Sequence, residues 1–218
     1  MKICVITAEF NHDERIYSPS FSAQDTNHEV EFIALNNNNY PTRNLSLHPR
    51  LKSKIPKFLQ WKITEADYYI WFDSKFKVTS SKFVDWHLKE IGSHDLCLFE
   101  HPERSTIKEE LDFMQEMMSD NNQYLNERYI GEPMKEQVEH YLAHPNFSDN
   151  SLFSCGMFIY SKNLVLNKDY NLMTDWLLEC TYWSVQDQLS IPFLLQKHKV
   201  NYNTYDYHIL KNRYTIYG

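Results

Sequence analysis

The stretch Tyr68–Val78 constrains this chain more than any other. Tyr68, Tyr69, Ile70, Trp71 and Phe72 run into a single carboxylate, Asp73, and the sequence turns polar at once with Ser74 and Lys75. No alternation of apolar and polar positions interrupts the run. Such a segment suits a strand buried on both faces, at the centre of a sheet with helices on either side. Open α/β sheets bind ligands in the crevice beyond the carboxyl ends of their strands. Asp73 is therefore a candidate active-site residue. The competing reading is an aspartate that caps the turn after a core strand.

The remaining pattern agrees with a single α/β domain over residues 1–218. Lys2–Thr7 and Glu29–Leu35 read as buried strands, with a polar segment, Ala8–His28, between them. Leu51–Glu65 carries Ile55, Phe58, Leu59 and Ile63 at helical spacing, and Pro56 places the helix start there, since proline is tolerated in a first turn. A helix over Lys82–Ile91 and a strand over Asp95–Phe99 follow. Ser105–Leu125 reads as one long helix capped by Ser105 or Thr106, with Glu109 and Glu110 in its first turn. Its Met114, Met117 and Met118 suit core filling. Pro133–His144 is a further helix; His140 and His144 stand four apart, but without the His-Glu-x-x-His pattern they belong to a solvated face. A strand over Ser151–Tyr160 is interrupted by Gly156. Helices over Asn171–Trp183 and Val185–Lys199 precede a last strand near Val200–Tyr205. Alternating strands and helices without repeats or linkers define the α/β class.

Composition removes several functions. With only four glycines, all far apart, no glycine-rich phosphate loop can form. Lys and Arg number 22 against 29 Asp and Glu, a net charge of −7 without a basic run, so nucleic acid is not an expected partner. Cys4, Cys97, Cys155 and Cys180 lack metal-ligand spacing and read as reduced core thiols. No long apolar stretch suggests a signal or transmembrane segment. These features point to a soluble, cytoplasmic protein.

Three polar points stand against apolar surroundings: Asp73, Asp187 within Trp183–Ser190, and His208 near the C-terminus. A carboxylate at a strand end, a second at a helix start and a late histidine suit a nucleotide-sugar transferase. There a cation offsets leaving-group charge, and oxygen and imidazole ligands suit Mn²⁺ or Mg²⁺. A second carboxylate serves as base or charge stabiliser.

The chain resembles a glycosyltransferase-like, hexosyltransferase-type family of plants and bacteria, long catalogued as a domain of unknown function. The resemblance runs through Lys54-Ile-Pro-Lys57, Tyr69-Ile-Trp-Phe-Asp-Ser-Lys75, His101-Pro-Glu-Arg104 with Glu109-Glu110, and Tyr129-Ile-Gly-Glu-Pro133. It continues through Gly156-Met-Phe-Ile-Tyr-Ser-Lys-Asn163 and Trp183-Ser-Val-Gln-Asp-Gln-Leu-Ser190. It implies a GT-A glycosyltransferase domain, a Rossmann-like mixed sheet flanked by helices. Such a domain moves a sugar from a nucleotide-diphosphate donor, first of all a UDP-sugar, to a glycan or other hydroxyl acceptor with metal assistance. Asp73 corresponds to the first acid of the family's metal-binding strand end, whereas Lys75 holds the second acid's position. Either Asp73, His208 and the phosphates hold the metal, or Lys75 takes over part of the cation's task. Asp187-Gln188 resembles an acceptor-side Asp-Gln, with Asp187 as catalytic base or oxocarbenium stabiliser. Lys54, Lys57 and Arg104 are candidates for phosphate or acceptor, and Thr7 and Asp13 for the nucleoside. The alternative, favoured by Lys75, is a non-catalytic sugar- or nucleotide-binding domain on the same fold.

Overall fold

The expected N-terminal strands form β1 (Lys2–Glu9) and β2 (Glu29–Asn36), which pair in parallel. The computed structural model describes residues 1–10, 19–40 and 49–218. On its other side β1 pairs in parallel with β3 (Tyr68–Phe72). The ribbon strand β4 (Phe76–Val78) comes next in sequence, then β5 (Leu96–Glu100) and β6 (Phe153–Ser161). β6 runs antiparallel between β3 and β5, and β7 (Tyr202–Thr204) lies parallel to β5 at the edge. The order β2-β1-β3-β6-β5-β7 makes a mixed six-stranded sheet. β4 pairs separately with β8 (Thr215–Tyr217). The chain moves to one side of β1 to make β2 and to the other to make β3. A crevice therefore opens at the carboxyl ends of β1 and β3.

β3 behaves as its sequence requires. Tyr69, Ile70, Trp71 and Phe72 are each no more than 2% exposed. Tyr69 and Trp71 pack into one core with Cys4, Ile6, Leu98 and Phe158, while Ile70 and Phe72 pack into the other with Val5, Phe83 and Phe99. The first core lies under the helices α1 (Pro49–Phe58) and α2 (Gln60–Ile63) and under the helices that follow residue 106; the second lies under α3 (Phe83–Ile91). Among the described residues no helix is long and apolar enough to cross a membrane.

Two expected helices are divided. Pro56 does not start a helix; it lies inside α1, which ends two residues later at Phe58. Proline lacks the N–H that would bond to the carbonyl four residues back, and its ring crowds that turn, so Pro56 weakens α1 within its own span. Likewise, Ser105–Leu125 is not continuous. Thr106 caps α4 (Ile107–Ser119) in a reciprocal capping box with Glu109. Asn121 then takes φ +60°, a left-handed conformation that asparagine tolerates. Asn122 accepts the Leu125 amide at 3.1 Å and starts α5 (Gln123–Tyr129) in a new direction. Beyond these come α6 (Met134–Leu142), α7 (Lys162–Leu166), α8 (Leu172–Tyr182) and α9 (Asp187–His198). His140 lies tilted against the Trp183 ring, and His144 meets the Phe193 ring edge-on. All four cysteines are buried and free.

Candidate active site

Asp73 leaves the end of β3 and is fixed on three sides. Its amide donates to the Gly156 carbonyl at 2.7 Å, and its Oδ1 accepts the Trp71 indole N–H at 2.7 Å. Lys57 Nζ stands 3.4 Å from the same oxygen. Gly156 permits this closeness. A Cβ there would lie 3.1 Å from the Phe76 ring and 3.5 Å from Asp73 Oδ2. The pairing of β5 with β6 also jumps here, from Leu98↔Phe158 to Phe99↔Ser154. Phe153 and Cys155 consequently share a face with Phe158 and Tyr160 rather than with Met157. A bulge of this kind re-aims side chains beside the crevice.

Deeper in the crevice lies a buried charged group. Asp187, at the first turn of α9, is 5% exposed and contacts Lys54 Nζ at 2.5 Å and Lys57 Nζ at 2.8 Å. Lys57, 3% exposed, thus bridges Asp187 and Asp73. Burial alone would raise the Asp187 pKa, but Lys54 and Lys57 outweigh it and bring it down to about 2. Burial also opposes charge on Lys57, yet Asp187 and Asp73 prevail and raise its pKa above the usual lysine value. Asp187 and Lys57 are therefore both ionised throughout the physiological range.

A cavity of about 480 Å³ opens above it, within the range of small-molecule sites. Among the described residues five cations line it, Arg50, Lys54, Lys57, Lys75 and Arg128, against three carboxylates, Asp73, Glu103 and Asp187. In a chain of net charge −7 this is a local reversal of sign. Its wall is held by a polar network: Arg50 donates to Tyr129 Oη at 3.1 Å, Tyr129 to Gln186 Oε1 at 3.2 Å, and Gln186 Nε2 to Glu110 Oε1 at 2.9 Å. Glu110 in turn receives Arg104 Nε at 2.5 Å.

The structure brings Asp73, Lys54, Lys57, Lys75, Asp187 and Gln188 around one cavity, though their sequence positions are far apart. Other candidates fall elsewhere. Thr7 is fully buried inside β1, which runs two residues further than expected, and Ala8 lines the cavity instead. Arg104 pairs with Glu110 and Glu103 and lines a neighbouring cavity with His101. Asp13 lies outside the described residues. His208 is not in the cavity lining, although Ile209 and Leu210 are, and its Nδ1 accepts the Leu210 amide at 3.0 Å. The residues that sequence reading missed are Arg50, Tyr124, Arg128, Tyr129 and Gln186. Tyr124 and Arg128 have a visible signal only in hindsight, their i,i+4 spacing on a helix.

The expected Mn²⁺ or Mg²⁺ does not fit this donor set. Asp73 Oδ1 is already engaged by an indole N–H and faced by an ammonium group. The next acid position holds Lys75, and among the described residues no three His, Cys, Asp or Glu gather into a metal site. Asp187 meets both lysines through Oδ2, so a cation bound there would sit against two ammonium groups. Lys54 and Lys57 stand against the expected catalytic base, Asp187, and by lowering its pKa to about 2 they weaken it as a proton acceptor at neutral pH.

A mixed sheet with a charged cleft at its carboxyl edge makes this an α/β domain whose ligand-sized site lies where the strand order reverses. Residues 41–213 match the TOD1/MUCI70, glycosyltransferase-like domain, and the chain belongs to that family. Two solved structures resemble it in outline. One is mouse xyloside xylosyltransferase 1 in its apo form, at 6% identity and TM-score 0.47, covering 94% of this chain and 86% of that one. The other is a glycosyltransferase involved in glycosylation of the major capsid of PBCV-1, at 7% identity and TM-score 0.47, covering 94% and 81%. Both are too remote to bear on function. No curated protein sequence matches the chain.

Proposed function

We propose that this chain is a glycosyltransferase moving a sugar from a nucleoside-diphosphate donor, a UDP-sugar in the first instance, to a hydroxyl acceptor such as a glycan. The observation that carries this reading is the cationic cleft at the carboxyl ends of β1 and β3, built around Asp73 and the Lys54–Asp187–Lys57 group. Membership of a glycosyltransferase-like family supports it. In the reaction the bond from the anomeric carbon to the diphosphate oxygen breaks, and its electron pair leaves on the phosphate. The acceptor oxygen bonds to the same carbon and gives up its proton, so the products are a glycosylated acceptor, a nucleoside diphosphate and a proton.

In this scheme Asp187 is a positioning residue. It holds Lys54 in place and keeps Lys57 charged at the cleft, where fixed charges act without reorganising. Asp73 is placed for the donor's sugar or ribose hydroxyls, being half-exposed at the strand end. Gln188, which accepts from Gln186 at 2.9 Å, lines the acceptor side. The test is incubation with a panel of nucleotide sugars, following release of nucleoside diphosphate with and without Mn²⁺. Slow donor hydrolysis, faster with a hydroxyl acceptor, supports the transferase. Donor binding without turnover under any condition would instead favour a recognition module, and no binding at all would sink both.

A further inference from the structure

Lys75 and Arg128 come from distant parts of the chain and meet on one aromatic ring. Lys75 Nζ donates to Tyr124 Oη at 3.0 Å and stands 5.0 Å from that ring's centroid. The Arg128 guanidinium lies over the same ring at 3.5 Å. Tyr124 and Arg128 are both on α5, which reaches the cleft only because Asn121 and Asn122 break the preceding helix. Lys75 is further fixed through its backbone, whose carbonyl accepts the Gly218 amide at 3.0 Å.

Neither cation has a carboxylate partner among the described residues, although acids outnumber bases in this chain. Arg50 adds a third positive group near enough to disfavour the charge on Arg128, and burial presses in the same direction. Like charges gathered on a cleft wall repel unless an anion joins them. Below them Lys54 and Lys57 are matched by Asp187 and Asp73, so the surplus charge sits at the upper wall. A diphosphate has the size, charge and multiple acceptor oxygens to span Lys75 and Arg128, and the guanidinium fork suits phosphate geometry.

We infer that Lys75 and Arg128, steadied by Tyr124, bind the donor's diphosphate and offset its growing charge as it leaves, so that the protein works without a divalent cation. This rests on the transferase reading above and assigns the leaving-group site within it. The side chains do what a metal does elsewhere: they neutralise the oxygen that departs with the electron pair.

Calorimetry on the full chain tests this with UDP and UMP as probes, joined by guanosine, adenosine and cytidine diphosphates. UDP or another of the diphosphates is expected to bind in EDTA, and saturating Mn²⁺ should change its Kd by less than about threefold. Lys75→Met and Arg128→Met should each weaken diphosphate binding by about tenfold or more, the usual range for a lost charge-assisted contact. The monophosphate, which lacks the outer phosphate, should lose less than about twofold. Lys162→Ala, outside the cleft, serves as the control that should change nothing. The EDTA measurement on the unaltered chain does not depend on any variant folding. Binding that appears only with Mn²⁺ would overturn the inference alone and return the metal to Asp73 and His208. Folded Lys75→Met and Arg128→Met variants that bind as tightly as the parent would also overturn it. Failure of every diphosphate to bind, with or without metal, would overturn the donor reading along with it.

Discussion

His87 and Lys57 are each sealed beneath one face of the same sheet, yet one is kept neutral and the other charged. His87, on α3, is fully buried among the rings of Phe83, Trp86 and Tyr205. Its Nδ1 meets the Tyr205 hydroxyl and its Nε2 has no partner among the described residues. Burial drives its pKa down to about 3. Lys57, under the opposite face, loses as much water but gains Asp187 at 2.8 Å and Asp73 at 3.4 Å. Desolvation removes a charge only where no opposite charge is supplied. The aromatic pocket around His87 therefore serves packing. The pocket around Lys57 keeps charge where a ligand enters.

Breaking the charged side should have the largest effect. Asp187→Asn leaves Lys57 buried with Asp73 alone, and removing one partner of a buried ion pair costs about 3–5 kcal/mol. Urea unfolding should register that loss. A change below about 1 kcal/mol would mean that Asp187 does not hold Lys57 in its charged state.

A titration sharpens the neutral side. Folded His87 has a pKa of about 3, while the unfolded chain protonates near 6.5. The unfolded state binds more protons below that pH, so this stability is complete above about 6.5 and is lost as pH falls towards 3. Across the full window it amounts to something on the order of 5 kcal/mol. Asp187 acts lower: its depressed pKa stabilises fully above about 4, and that contribution disappears as pH falls through about 2. His87→Phe should flatten the stability profile between pH 6.5 and 3 and leave the lower loss in place. An unaltered profile in that variant would show that another group titrates there.

The smallest effect is expected from erasing the neutral pair altogether. His87→Phe with Tyr205→Phe removes both polar partners at nearly constant shape, which is close to neutral in stability, within about 1 kcal/mol. Nucleotide binding should be unchanged. If binding falls while the melting temperature holds, the two faces are coupled and the contrast drawn here fails.

Much of the frame was legible because short-range patterns carry it. The unbroken apolar run before Asp73 required a doubly covered strand, and Thr106 with Glu109 required a helix start. The helix break was not legible, because Asn121 and Asn122 read as polar surface until one is seen at positive φ. The site was half legible. Asp73, Lys54, Lys57, Lys75 and Asp187 stood out as polar points near apolar runs, but which carboxylate meets which ammonium is a matter of tertiary distance. Asp187 reads as a base or charge stabiliser from its Asp-Gln motif; the two lysines that meet it come from α1, far away in sequence. Arg50 and Arg128 carried no pattern of their own, since a surface arginine and a cleft arginine are written alike.

The two-stranded ribbon has a consequence for the order in which the molecule acquires its parts. Phe76 pairs with Tyr217, Val78 with Thr215, and the carbonyl of Tyr214 receives the amide of Thr79. The turn bearing Lys75 is thus shaped by residues made long after it. Contacts so distant in sequence close late, once the entropy of the intervening chain has been overcome. During synthesis β1, β2 and β3 leave the ribosome and can begin to pair while residues 214–217 are still unmade. A nascent chain of this kind can pair much of its sheet before the turn bearing Lys75 is shaped, because that turn waits for residues 214–217.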